Sequence, residues 1–123
     1  MTAWTTDELN RIGTTEEVRI AGRRTDGSLR KPVIVWLVRD DQDLYVRSVN
    51  GRGAVWFRGV QTSHEGRIWA DGLEKDVHFV ETEDRNDAID AAYWAKYQRY
   101  PSIVPSIVTP ETRATTLKLV PRD

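Results

Sequence analysis

The segment Pro32-Val33-Ile34-Val35-Trp36-Leu37-Val38 is the clearest strand signal in the sequence, because a nearly unbroken apolar run rich in β-branched residues is typical of a buried strand. Before it, residues 17–23 alternate apolar and polar side chains, which is the period of a half-buried strand. The Asp26-Gly27 pair between the two segments favours a tight turn. The sequence therefore predicts a hairpin whose second strand is buried on both faces.

Further segments have the character of strands or the spacing of helices. The predicted strands span residues 44–49, 67–71, 76–80 and 114–120, and the predicted helices span residues 54–61 and 86–100. Together these elements predict a mainly β (α+β) fold: a small antiparallel barrel of about six strands with two or three helices. The chain length predicts a single domain over residues 1–123.

The composition excludes several classes of function. Lys and Arg number 18 against 19 Asp and Glu, so a net charge of -1 provides no general attraction to nucleic acid or to a membrane. There is no Cys, which excludes disulfides and thiolate zinc sites, and two His cannot supply a three-His site, so no metal site is predicted. The first residues lack the pattern of a signal peptide and no long apolar segment follows, so the predicted location is the cytoplasm.

Basic residues are concentrated in the first half of the chain. Residues 19–67 hold ten Lys or Arg and five acidic residues, whereas residues 71–90 hold two basic and eight acidic residues. If the basic side chains converge in the fold, they form an anion site. The alternative is a solvated face on which arginines alternate along strand exteriors. The candidates are seven of these ten basic residues, namely Arg23, Arg24, Arg30, Lys31, Arg47, Arg52 and Arg58.

The glycine-rich break Gly51-Arg52-Gly53 lies between a predicted strand and a predicted helix. Backbone N–H groups at such a junction favour an anion, and Arg47 and Arg52 would add positive charge, so the segment is a candidate phosphate loop. A plain connecting turn explains the same residues. The segment is not a dinucleotide-binding fingerprint, because Trp56 stands where the third Gly is required.

The sequence contains no recognisable catalytic constellation, and no catalytic residue is predicted. It has no nucleophile elbow, Walker loop or His-Glu-x-x-His pattern. His64 and His78 are expected at the surface. Tyr45, Tyr93 and Tyr97 are candidate proton donors or parts of a substrate wall, and the alternative role for all three is packing in the core.

Three segments together resemble the split-barrel flavin and deazaflavin oxidoreductases, in particular the deazaflavin-dependent nitroreductases. These segments are residues 22–32, residues 43–51 and Trp56-Phe57-Arg58. Over its whole length, from Trp4 to Arg122, the chain is similar to a bacterial family known as domain of unknown function 2255. The resemblance implies a split β-barrel that uses FMN or coenzyme F-420, and a homodimer with the cofactor at its interface.

The resemblance also implies particular cofactor contacts. Arg30 and Pro32 would lie beside the ring of the cofactor, and Trp56 would pack beneath a phosphate loop. The residues that would hold the phosphate are Ser48, Asn50, Gly51 and Arg52, with Arg47 as a further candidate cofactor-binding residue. Because hydride transfer takes place on the cofactor, the protein would supply orientation, charge and a shielded pocket, and no nucleophile is required.

Three functions from different classes remain open. The first is a split-barrel oxidoreductase that acts on a small molecule. The second is a non-catalytic protein of the same fold that binds a cofactor or another small molecule, in storage or sensing. The third and less favoured function is nucleic-acid binding through the arginine-rich half, with Trp56 and Phe57 as stacking platforms for bases.

Overall fold

Seven antiparallel strands form one sheet in the computed structural model, which describes residues 3–122. The strands are β1 (Val18–Gly22), β2 (Val33–Val35), β3 (Leu37–Asp40), β4 (Asp43–Val46), β5 (Glu65–Ala70), β6 (Leu73–Glu81) and β7 (Leu117–Pro121). The α-helices are α1 (Thr6–Thr14), α2 (Val55–Ser63), α3 (Asn86–Lys96) and α4 (Pro110–Arg113), with 3-10 turns at Gly51–Gly53 and Val104–Ile107. The antiparallel barrel with helices is confirmed, whereas the predicted counts of six strands and two or three helices are wrong: the described residues form seven strands and four α-helices.

The sheet curls into a nearly closed barrel because its two end strands are consecutive in the chain. The order across the sheet is β2-β1-β5-β6-β7-β4-β3, so β2 and β3 are the two end strands, yet only Trp36 separates them. Val35 is paired with Val18 of β1, whereas Leu37 is paired with Val46 of β4. The single strand predicted over residues 32–38 is therefore two strands, because the chain changes its pairing partner at Trp36.

Helix α3 supplies hydrogen bonds to the backbone at this change of partner. The hydroxyl of Tyr97 accepts a bond from the Leu37 N–H (3.1 Å) and donates one to the Leu37 carbonyl (3.0 Å). The hydroxyl of Tyr93 donates to the Trp36 carbonyl (2.8 Å), and Nζ of Lys96 donates to the Leu37 carbonyl (2.6 Å). Backbone groups at a strand break need such partners, so α3 stabilises the point where the barrel closes.

The sheet separates two hydrophobic clusters. Leu44 and Val46 of β4 belong to the larger cluster, while Tyr45 between them belongs to a second cluster beneath α3 and the Val104–Ile107 turn, because successive strand residues point to opposite faces. The predicted burial of residues 32–38 on both faces is wrong at Ile34, which is 62% exposed. The second cluster, beneath α3, extends to Val38 of β3 but does not cover Ile34 of β2.

The local elements follow their sequence signals closely. The predicted hairpin is confirmed, since β1 pairs with β2. The strands predicted over residues 67–71 and 76–80 also form a hairpin, in which β5 pairs with β6 through Asp71-Gly72, whose positive φ angles are those of a tight hairpin turn. Helix α1 was not predicted, although Thr5 and Glu8 form a capping box at its start. Within residues 3–122, no helix is long and apolar enough to cross a membrane.

Candidate functional site

One cleft of about 350 Å³ lies where β2, the end of β4, the start of α2 and the Val104–Ile107 turn meet. We call it the tryptophan cleft. Apolar side chains line most of it, with a few polar groups among them, which is the usual composition of a small-molecule site, and its volume is at the low end of the range for such sites. The lining residues are Val33, Ile34, Val35, Trp36, Arg47, Val49, Asn50, Trp56, Ile103, Ser106 and Ile107.

The two indole rings of the cleft are held by aromatic contacts behind them. Trp36 stacks on Tyr97, with ring centroids 4.0 Å apart and planes 5° from parallel, and also contacts Tyr100 at 5.7 Å. Trp56 packs edge-on against Phe57, with centroids 5.9 Å apart. Since Tyr97 and Phe57 are fully buried, these contacts fix the two indoles as rigid apolar walls.

Arg47 reaches the cleft wall, but its guanidinium is fully engaged inside the protein. Its side chain has no exposed surface and forms an ion pair with Asp90. Nε donates to the Thr116 hydroxyl (2.9 Å), Nη1 donates to the Ile107 carbonyl (3.0 Å), and Nη2 donates to the Asn86 side-chain oxygen (3.1 Å). The structure thus gives Arg47 the role of an internal tie between β4 and the segment that carries Ile107.

The candidate phosphate loop is a tight turn with internal hydrogen bonds. The Ser48 hydroxyl donates to the Gly51 carbonyl (2.7 Å), and the Ser48 N–H donates to the Thr115 hydroxyl (2.9 Å), so Ser48 is buried and occupied. Gly51 has a φ of 77°, which the turn requires. Asn50 is exposed and contributes to the cleft.

Arg52 projects away from the tryptophan cleft. Its Nη1 donates to the Ala114 carbonyl (2.9 Å), and its Nη2 lies 3.8 Å from the Glu81 carboxylate. The surface depression that contains Arg52 also contains Glu83 and Asp84. These carboxylates make the surroundings of Arg52 unfavourable for a phosphate.

The two residues expected beside the ring lie at the start of β2. Pro32 is exposed and directly precedes Val33. Arg30 is half-buried and lies against Gly22 and Gly59, in a surface cavity separate from the tryptophan cleft. Of the eight candidate cofactor-binding residues, Arg47, Asn50 and Trp56 line the tryptophan cleft together.

Of the two alternatives for the basic residues, the structure does not show convergence on one pocket, because most of these arginines have partners within the protein. Arg23 pairs with Asp76, and Arg24 bonds to the Leu29 carbonyl. Arg30, Arg47 and Arg52 belong to three different cavities. The basic half of the sequence is therefore distributed over the surface and one buried ion pair.

The tyrosines and histidines lie where packing and solvation place them. Tyr45, Tyr93 and Tyr97 are buried, and burial raises the pKa of each hydroxyl above its usual value, which favours their packing role. His64 and His78 are exposed, as predicted. Phe57 is fully buried, so it is not available as a stacking platform for a base.

Lys96, next to the aromatic stack behind Trp36, has an unusual environment. Its Nζ lies 5.1 Å from the centroid of the Tyr97 ring, and burial lowers the pKa of its amine from 10.5 to about 8. In the sequence Lys96 is only one residue of the helix predicted over residues 86–100. The lowered pKa of Lys96 could not be predicted from the sequence, because it depends on the packing of α3 against the barrel.

We expect the contribution of Lys96 to the free energy of unfolding to rise between pH 8 and about 10.5. In that interval the unfolded chain keeps the Lys96 proton while the folded protein releases it, so the unfolded state binds more protons. Lys96→Met removes the titrating group, and the Leu37 carbonyl keeps its bond from Tyr97. Urea unfolding at pH 7 and pH 10 should show the wild type gaining about 1 kcal/mol or more on the variant. An unchanged difference would contradict this.

Sequence reasoning missed most of the apolar wall of the cleft. The sequence predicts Trp36 within a buried strand and Val49 at the end of another strand. The repeated Pro-Ser-Ile-Val of residues 101–108 was the available signal, because so apolar a segment must pack against the rest of the fold. It supplies Ile103, Ser106 and Ile107 to the cleft.

A nearly closed antiparallel barrel with helices on its outside, and a cleft beside its end strands, defines a protein of the split-barrel class. The model of the family described as "Uncharacterized protein conserved in bacteria (DUF2255)" matches residues 8–119. The chain belongs to this family. No curated protein matches its sequence.

Several solved structures share the fold at low sequence identity. The heme storage protein HutZ from Vibrio cholerae superimposes with a TM-score of 0.66 at 11% identity, over 96% of this chain and 90% of HutZ. An F-420 reductase superimposes with a TM-score of 0.51 at 14% identity, over 93% of this chain and 90% of the reductase. An FAD-binding protein from Mesorhizobium loti superimposes with a TM-score of 0.54 at 14% identity, over 97% of this chain and 89% of the FAD-binding protein. At these identities the similarity establishes the barrel fold alone.

Proposed function

We propose that this protein binds the ring of FMN or coenzyme F-420 in the tryptophan cleft and acts as a split-barrel oxidoreductase on a small molecule. The observation that carries the proposal is the cleft itself, an apolar space bounded by Trp36 and Trp56. Planar aromatic ligands are recognised by such walls through stacking and exclusion of water. Similarly folded proteins include one named as an F-420 reductase and one named as FAD-binding.

The residues of the cleft fit the ring better than the phosphate. Asn50 offers an exposed side-chain amide at the cleft, and the indoles offer apolar contact. Arg47 cannot also hold a phosphate without giving up its bonds to Asp90, Thr116 and Ile107. We therefore assign Arg47 the role of positioning the cleft wall. A bound flavin or deazaflavin would supply hydride transfer, and the protein would orient its ring and exclude water.

A non-catalytic binding protein is the second candidate, and one observation favours it. Among the described residues that line the cleft, the only ionisable side chain is Arg47, whose guanidinium is engaged in internal bonds. A proton needed for turnover would have to come from water or from the substrate. A protein that binds the cofactor yet never transfers hydride to an acceptor would meet the second description.

Binding of FMN and of coenzyme F-420 can be measured by quenching of cofactor fluorescence on titration with the protein. We expect saturable binding of one of them by the wild type, and binding weakened at least about tenfold by Val49→Asp, which places a charge at the apolar cleft. The matched control is Val80→Asp, since Val80 lies outside the cleft and is 44% exposed against 50% for Val49. That control should bind within about twofold of the wild type.

Failure of both cofactors to bind the wild type would contradict the proposal, as would equal weakening by the two valine variants. Where a cofactor binds, oxidation of its reduced form by added acceptors separates the oxidoreductase from the non-catalytic protein. Ile34, Val49 and Ile103 leave an exposed apolar mouth around the cleft, which supports a homodimer as part of the proposal. Light scattering on the titration samples tests that part, and a monomer in all of them would contradict it.

A further inference from the structure

Arg30 and Arg58 are two guanidinium groups without a protein partner. In residues 3–122, neither side chain forms an ion pair or donates a hydrogen bond, although most other arginines there do one or the other. Both line the same surface cavity of about 450 Å³ beside α2. Two like charges that share a cavity without a counter-charge create a strong local preference for an anion.

The position of Arg30 is fixed by two glycines. Its backbone N–H donates to the Gly22 carbonyl (2.8 Å), and its side chain crosses Gly59 of α2. A Cβ atom on Gly59 would lie 2.6 Å from Nε of Arg30, so the bare helix surface at this point is the space that the guanidinium occupies. Nε is buried and has no hydrogen-bond partner. A buried N–H donor left without an acceptor is costly, and an external group bound to the rest of the guanidinium would offset this cost.

The rest of the cavity suits an oxyanion. Apart from the two arginines, its lining residues are Val55, Gly59, Gln61 and Thr62, and none of the described residues that line it is acidic. This distinguishes the cavity from the depression around Arg52, where Glu81, Glu83 and Asp84 oppose a negative ligand. It shares no lining residue with the tryptophan cleft, so its ligand need not be the one proposed there.

We propose that this cavity, the Arg30–Arg58 site, binds a phosphate group. The two guanidinium groups donate charge-assisted hydrogen bonds to its oxygens, and phosphate geometry matches such donors well. The group can belong to free inorganic phosphate or to a phosphate monoester. The site is independent of the tryptophan cleft and of the proposed oxidoreductase function.

The test is an NMR titration at about 0.15 M ionic strength, where the charge of a distant arginine is largely screened, with two probes, inorganic phosphate and methyl phosphate. We expect saturable shifts of the Arg30 Nε–H and Gly59 amide signals, and similar shifts from methyl phosphate would assign the site to phosphate monoesters. Saturation by inorganic phosphate alone would assign it to the free ion. Absence of saturable shifts with either probe would overturn the proposal.

Gly59→Ala is the decisive variant because it changes no charge. Its methyl group must displace the Arg30 guanidinium, while alanine is the better helix former, so thermal unfolding should show a fold at least as stable. We expect phosphate binding to weaken at least about tenfold in Gly59→Ala and in Arg58→Gln. Arg52→Gln is the control and should bind within about twofold of the wild type. Unchanged binding in Gly59→Ala, or loss in Arg52→Gln alone, would overturn the proposal.

Discussion

Asp90→Ala should lower the free energy of unfolding by about 3–5 kcal/mol, because it leaves the guanidinium of Arg47 buried without its counter-charge. The Arg47 side chain has no exposed surface, and Asp90 is only 20% exposed. The remaining partners of Arg47 are the neutral oxygens of Thr116, Ile107 and Asn86. Urea unfolding followed by circular dichroism measures the loss.

The control is Asp87→Ala on the same helix. Asp87 and Asp90 both form an ion pair with Arg113, but Asp87 is 98% exposed, so its removal should cost at most about 1 kcal/mol. The stability losses of the single variants Arg47→Met and Asp90→Ala should not add in the double variant Arg47→Met/Asp90→Ala. Without Arg47, removal of Asp90 no longer leaves a buried guanidinium without its counter-charge. Equal losses in the Asp90 and Asp87 variants would show that the buried pair contributes no more than a surface pair.

The same ion pair has a consequence for the tryptophan cleft. Arg47 donates to the Ile107 carbonyl, and Ile107 is part of the cleft wall. Asp90 lies on α3, and Tyr93 of this helix and Tyr97 directly after it donate hydrogen bonds to the backbone carbonyls of Trp36 and Leu37. Helix α3 therefore stabilises two sides of the cleft at once, and the cleft depends on residues that lie outside it.

The parts of the fold that depend on neighbouring residues could be predicted from the sequence. Alternation and the Asp26-Gly27 turn predict the β1–β2 hairpin, the strand patterns predict β5 and β6, and helical spacing predicts α2 and α3. The break at Trp36 could not be predicted, since both halves of residues 32–38 are equally apolar and only pairing with distant strands distinguishes them. Helix α1 was within reach of the sequence, because the Thr5-x-x-Glu8 pattern is local.

The candidate site was less accessible to sequence reasoning, because partners decide what an arginine can bind. Arg47 was predicted to contact a phosphate, but Asp90 and Thr116, which engage it, lie 43 and 69 residues away in the chain. Arg30 lies in the same basic half of the sequence as Arg47, but its Nε has no hydrogen-bond partner. No pattern in the sequence distinguishes these two arginines, and the difference arises only when the barrel closes.

Gly66 is the position at which a single added methyl group should be most damaging. It lies on β5 opposite Gly22 of β1, and the register brings the two backbones close together. A Cβ atom at this position would lie 2.2 Å from the Ala21 carbonyl oxygen and 2.8 Å from the ring of Phe79. The carbonyl belongs to the backbone of a paired strand and the ring to the buried core, so neither can move without disturbing its neighbours.

Gly66→Ala should therefore lower the free energy of unfolding by about 3 kcal/mol or more. Gly53→Ala is the control, because a Cβ atom at Gly53 meets nothing within 4 Å, and its stability should stay within about 0.5 kcal/mol of the wild type. Urea unfolding of the two variants makes the comparison, and similar stabilities would mean that β1 and β5 are less closely spaced than described. Since β1 carries β2, which forms one wall of the tryptophan cleft, a loosened β1–β5 pair should weaken ligand binding there as well.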